Sequence, residues 1–149
     1  MDELKELYQQ VILDHNRAPR NFGTLEHPTH EAEGDNPLCG DHIDITLDVE
    51  DGVIKDIKFS GKGCAISKAS ASLMTSVLKG KTVEEARKMF EEFHDLVTKD
   101  EYIPDFDKLG KLAVFAGVRA FPVRVKCASL AWHTMLQALK GKEKVVSTE

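Results

Sequence analysis

The sequence predicts an α+β fold, a small antiparallel β-sheet of about three strands packed by helices. Three observations predict it. Ile43, Ile45, Leu47 and Val49 alternate with Asp44, Thr46 and Asp48, which is the period of a half-buried strand. Asp51-Gly52 follows at once, and Asp-Gly between alternating segments is a hairpin turn signal. From Ile66 onward the apolar residues recur at helical rather than strand spacing.

The elements follow in order. Residues 2–16 read as an amphipathic helix, with Leu4, Leu7, Tyr8, Val11 and Ile12 on one stripe. Residues 16–29 form a loop punctuated by Pro19, Gly23 and Pro28. A weaker strand is predicted near 30–35. Val53 to Phe59 returns from the hairpin, with Ile57 and Phe59 in phase. Ile66, Ala69, Leu73, Met74 and Val77 mark a helix that ends at Gly80. Thr82 and Glu85 have the spacing of a capping box, in which each side chain bonds the other residue's backbone N–H. They open a helix carrying Val83, Ala86, Phe90 and Phe93. Residues 98–106 are a polar connection, and residues 108–118 a shorter helix. Pro122 suits the first position of a last helix, because its missing N–H would be unpaired there anyway. That helix runs to about Lys140, and residues 142–149 are predicted to fray.

At 149 residues the chain reads as one domain, 1–149, large enough to bury a real core. A net charge of −5 argues against a nucleic-acid surface. No apolar run reaches transmembrane length and no secretory pattern opens the chain. The sequence therefore predicts a cytoplasmic protein with neither a membrane nor a nucleic acid as partner.

The three cysteines are Cys39, Cys64 and Cys127, too few and too spread for a disulfide framework. Each falls at an element boundary. Cys39 lies in the turn before the first long strand, Cys64 at a helix start after "SGKG", and Cys127 in the second turn of the last helix. A lone cysteine is most simply a small buried hydrophobe. Turn residues and glycines around Cys39 and Cys64 are a poor core setting, and a helix N-terminus favours thiolate. Asp41 shares the strand face of Ile43 and Ile45, so its carboxylate needs a cation or donors. Three thiolates and a carboxylate make the four ligands that tetrahedral Zn²⁺ prefers, although the spacing is not that of a zinc finger.

Three blocks, "NPLCGD" at 36–41, "GKGCAISKASASLM" at 61–74 and "FPVRVKC" at 121–127 followed by "SLAWHTMLQAL", resemble the IscU/SufU/NifU-N-terminal family of iron–sulfur cluster assembly proteins. They stand in the family's order across nearly the whole chain. Two departures favour the SufU branch. Lys126 stands where the scaffold branch has a histidine. Ala120-Phe121-Pro122-Val123-Arg124 replaces that branch's Leu-Pro-Pro-Val-Lys segment. The resemblance implies an IscU-like fold and a zinc-dependent sulfur acceptor. Cys39, Asp41, Cys64 and Cys127 would hold zinc, and Cys39 would accept persulfide sulfur. A SufS-type cysteine desulfurase would supply that sulfur, and downstream iron–sulfur assembly machinery would receive it. The alternative is a scaffold that assembles a [2Fe–2S] cluster on the same residues.

For sulfur to be accepted, one ligand must leave the metal. Ligand softness points to Asp41, whereas position on a turn points to Cys39. Four anionic ligands around Zn²⁺ also call for nearby cations. Arg124, three residues before Cys127 on one helix side, is the candidate for charge or persulfide support. His42 belongs to the strand face opposite Asp41, and the remaining histidines lie in no motif.

Overall fold

The computed structural model describes residues 2–37, 40–99, 109–140 and 145–147. Helix α1 spans Asp2–Arg17, and strands β1, β2 and β3 span His30–Asn36, Asp41–Glu50 and Val53–Lys62. Helices α2 and α3 span Ala65–Leu78 and Val83–Thr98. A 3₁₀ helix over Gly110–Val118 leads to α4, Pro122–Lys140, and a short strand β4, Val145–Ser147, follows.

Strands β1, β2 and β3 form an antiparallel meander, with β2 in the centre. The alternation of β2 holds: Asp41, Ile43, Ile45 and Leu47 are buried, while His42 and Asp44 are half-exposed on the other face. Thr46 is buried on that outer face as well. The preceding loop covers it, and the N–H of Leu25 donates to its hydroxyl at 3.2 Å. Of the tail predicted to fray, residues 142–149, those described are 145–147, which pair in parallel with Glu33, Gly34 and Asp35 of β1; the others lie outside the described residues. Two consecutive valines suit a strand, and the free edge of β1 offers unpaired backbone groups to receive it.

Helices α2 and α4 pack together and cover the buried face through small and large residues in complement. Ser70 Oγ donates to the Ala128 carbonyl at 2.6 Å and accepts from Trp132 Nε1 at 3.2 Å. Phe93 of α3 stacks on Trp132 with ring centroids 4.6 Å apart. The predicted capping box is present at the start of α3. Two details differ from the sequence reading. On α1, Leu7 is exposed, and the buried stripe is Val11, Ile12 and His15 with Tyr8 beside it. The helix predicted over 108–118 is 3₁₀ from Gly110. Its buried residues Leu112, Phe115 and Val118, with Leu109 before them, recur every third position. That is the period of a 3₁₀ helix, whose side chains at i and i+3 eclipse.

Candidate metal centre

The β1–β2 hairpin closes on the pair Asn36 and Asp41. Residues 37–40 connect them, and Gly40 adopts a φ of 72° that an L side chain disfavours. Cys39, the predicted sulfur acceptor and fourth ligand, lies outside the described residues together with Leu38. Asp41 is fully buried. Its Oδ1 accepts the backbone N–H of Cys64 at 2.7 Å. This approach depends on Gly63, because a Cβ there would come within 2.8 Å of Asp41 Oδ1.

Cys64 is the N-cap of α2, and its Sγ accepts the N–H of Ser67 at 3.4 Å. A helix start concentrates unpaired N–H groups and the positive dipole end, both of which favour an anionic sulfur. Cys127, buried on α4, receives the side-chain N–H of Asn36 at 3.9 Å. One ligand atom from each of Asp41, Cys64 and Cys127 lies within 4.8 Å of the others. Three elements far apart in sequence therefore converge at one end of the sheet.

The donor set fits a zinc ion. With Zn–S about 2.3 Å and Zn–O about 2.0 Å, tetrahedral ligands stand roughly 3.5–3.8 Å apart. Cys64 Sγ lies 3.8 Å from Asp41 Oδ2. A buried carboxylate between two thiols is also costly unless a cation joins them.

Arg124 is exposed on the first turn of α4, with its guanidinium over the Phe121 ring at 4.3 Å. Its charge is felt at Tyr8 of α1. Burial raises the pKa of that phenol above its ordinary value, the positive charge of Arg124 offsets part of the rise, and Cys64 adds to it. The Tyr8 hydroxyl is buried and finds no partner among the described residues. His42 points to the opposite sheet face, as its strand position predicts, and contacts Asp44 at 3.1 Å and Asp35 at 3.7 Å. With Glu33 and Asp44 it forms a second, partly exposed group of potential ligand atoms.

Sequence reasoning missed Asn36 and Ser67 as neighbours of the centre. Asn36 reads as a turn residue before Pro37. The available signal was parity, since Asn36 shares a strand face with Ala32 and Gly34, both buried.

Together, these features define a small α+β domain with a Cys–Cys–Asp group that could hold a metal ion at one end of its sheet. The chain belongs to the NifU-like N terminal domain family, whose model matches residues 7–140; this is the IscU/SufU family of iron–sulfur cluster assembly. It is 41% identical to the zinc-dependent sulfurtransferase SufU of Bacillus subtilis, over 94% of both chains. It is 39% identical to the iron–sulfur cluster assembly scaffold protein IscU of Streptococcus pyogenes, over 94% of this chain and 87% of that one. A crystal structure from Fervidobacterium islandicum, described as a candidate assembly scaffold for the SUF system, superposes with a TM-score of 0.82 at 34% identity. That match covers 90% of this chain and 97% of the other. No described helix is long and apolar enough to cross a membrane.

Proposed function

We propose that the protein is a zinc-dependent sulfur acceptor of the SufU type, taking persulfide sulfur from a SufS-type cysteine desulfurase in the cytoplasm. The observation that carries this reading is the convergence of Asp41, Cys64 and Cys127, with Cys39 two residues before Asp41 in the sequence. The carboxylate sets this donor set apart from the all-Cys and Cys/His sets of structural zinc sites. The 41% identity to a protein named zinc-dependent sulfurtransferase supports it. So does Lys126, at the position where the scaffold branch has histidine.

Bound zinc would keep the thiolates deprotonated without redox chemistry of its own. Asp41, Cys64 and Cys127 would hold it. The bond from the Cys64 N–H to Asp41 Oδ1, 2.7 Å and partly buried, ties the carboxylate in place. This favours Cys39, on the connecting loop, as the ligand that leaves. The Cys39 thiolate then attacks the outer sulfur of the desulfurase persulfide. The persulfide S–S bond breaks, a new S–S bond forms on Cys39, and the desulfurase cysteine departs as thiolate, so no external electrons are needed. Arg124, at the rim, would attract the anionic persulfide. Downstream assembly machinery would then take the sulfur.

The scaffold reading rests on the 39% identity to a protein named IscU. Purification without added metal separates the two: colourless protein with stoichiometric zinc supports the acceptor, and a coloured iron–sulfur protein supports the scaffold. The direct test is incubation with a cysteine desulfurase and cysteine, followed by intact-protein mass spectrometry. Wild type should gain sulfur adducts that a reductant removes, and Cys39→Ala should gain none. Adducts that persist on the variant would exclude Cys39 as the acceptor.

A further inference from the structure

We propose that Asn36 is a positioning residue of the metal centre, its side-chain N–H holding the sulfur of Cys127 as thiolate. The proposal rests on the metal-binding reading of Asp41, Cys64 and Cys127 and goes beyond it to the groups that hold those ligands.

Each of the three ligands carries a protein N–H donor. Asp41 Oδ1 accepts from the backbone of Cys64 at 2.7 Å, and Cys64 Sγ accepts from the backbone of Ser67 at 3.4 Å. Cys127 Sγ accepts from Asn36 Nδ2 at 3.9 Å. The first two donors belong to the start of α2 and come with any sequence that places the helix there. The third is a side chain that the sequence had to supply.

Asn36 is fully buried, the condition under which an amide must find partners or lose stability. Its Oδ1 nevertheless accepts nothing among the described residues. Among the described residues, the amide contact that reaches the centre is therefore from its N–H to the Cys127 sulfur. An N–H donor matches a thiolate, which only accepts; a protonated thiol would be matched equally well by the amide oxygen. With its N–H toward sulfur, the amide is placed to bond the ligating form of Cys127.

The backbone fixes this placement from both sides. Asn36 is the cross-strand partner of Asp41 at the base of the hairpin, and it reaches 91 residues along the chain to Cys127 on α4. One side chain thereby couples the connection bearing Cys39 to the helix bearing Cys127. Three thiolates and a carboxylate around a divalent ion carry excess negative charge. A donor on Cys127 draws electron density from that sulfur and fixes its direction, as partners of ligands do at metal sites. Cys127 is then held to the metal while another ligand exchanges.

Two experiments test this, both reading the metal centre rather than sulfur transfer. In wild type loaded with a spin-active cadmium isotope, one Asn36 side-chain amide proton should shift downfield on metal binding and show scalar coupling to cadmium through Cys127 sulfur. Loaded protein in which that proton neither shifts nor couples overturns the proposal and leaves the metal centre standing. Failure to take up cadmium overturns both. The second experiment compares cobalt-substituted wild type, Asn36→Leu and Asn36→Gln. Asn36→Leu should move the thiolate-to-cobalt charge-transfer band to lower energy and release metal to a chelator roughly 10- to 100-fold more readily. Asn36→Gln, which keeps an N–H donor, should recover most of the band position. A wild-type band in Asn36→Leu, or an equal shift in both variants, would reduce Asn36 to a packing residue.

Discussion

Two buried polar clusters share helix α2, and they are finished differently. Around Ser72 every hydroxyl is engaged. Ser72 Oγ meets His15 Nδ1 at 2.7 Å and accepts the N–H of Arg20 at 2.8 Å. Thr75 accepts from Asn21 Nδ2 at 3.2 Å and donates to the Ser72 carbonyl at 2.8 Å. One and a half turns toward the helix start, around Ser67, the fully buried Ser67 Oγ and Asn36 Oδ1 have no partner among the described residues. Buried polar groups in a folded protein are normally paired, and a cluster that serves only the fold closes on itself. The open cluster lies where two cysteines and an aspartate converge. The contrast sets a closed end of α2 against an open end that coincides with the group able to hold a metal ion.

The largest effect that separates the two ends is metal. A ligand that binds only the folded state, at a free concentration 1,000 times its Kd, adds about 4 kcal/mol of stability. Cys127→Ser should lose most of that increment, while its metal-free melting stays near that of wild type, since serine is close in size. Melting curves with zinc and with chelator measure both quantities. A variant stabilised by zinc as strongly as wild type would remove Cys127 from the ligand set.

The closed cluster should respond in the opposite way. Ser72→Ala leaves the partly buried Arg20 N–H and the buried His15 ring without their partner, a loss of about 1–3 kcal/mol. The zinc increment should not change. Urea titrations with and without metal give the two numbers, and a fall in the zinc increment would show that the clusters are coupled along α2.

His15 sharpens the comparison through pH. Burial, then the charges of Arg20 and Lys111, push its pKa down from 6.5 to about 4, with Asp14 opposing. The folded state therefore holds the neutral ring, and the unfolded chain takes up the proton first as the pH falls. This stability is fully present above about pH 6.5, drains as the pH falls toward 4, and amounts to roughly 2–3 kcal/mol. Measured in chelator, so that metal ligands do not contribute, the unfolding free energy should fall across that window. His15→Gln should flatten the curve. An unchanged slope would assign the acid sensitivity to other groups.

Elements governed by local chemistry were legible in the sequence. The alternation of β2, the hairpin at Asp51-Gly52 and the box of Thr82 and Glu85 each need only a few adjacent residues. Strand β4 was not legible, because it depends on the edge of β1, more than 100 residues earlier in the chain. The 3₁₀ helix had a readable three-residue period in Leu109, Leu112, Phe115 and Val118, which resembles a short α-helical stripe when only the apolar content is counted. At the site, Asp41, Cys64 and Cys127 stood out because a carboxylate on a core face and thiols at element ends conflict with plain packing. Asn36 did not, because turn chemistry explains an Asn-Pro pair and its second partner lies on the last helix.

The smallest effect belongs to Ser67, and it tests the comparison most closely. Ser67 and Ser72 are the same residue type, on one helix, both fully buried. Changing either to alanine gains the same small helix propensity, so that term cancels between them. What remains is the hydroxyl. At Ser72 it is bonded, and its loss strands two partners. At Ser67 it is buried with no partner among the described residues, so its removal relieves a desolvation cost instead of breaking a bond. Ser67→Ala in metal-free protein should therefore change stability by no more than about 0.5 kcal/mol, on the stabilising side. The zinc increment should hold as well, because the Ser67 group that reaches Cys64 Sγ is the backbone N–H, which alanine keeps. A loss as large as that of Ser72→Ala would mean that the Ser67 hydroxyl is bonded in solution. The open end of α2 would then be as closed as the other, and the unpaired groups around it would no longer mark a site.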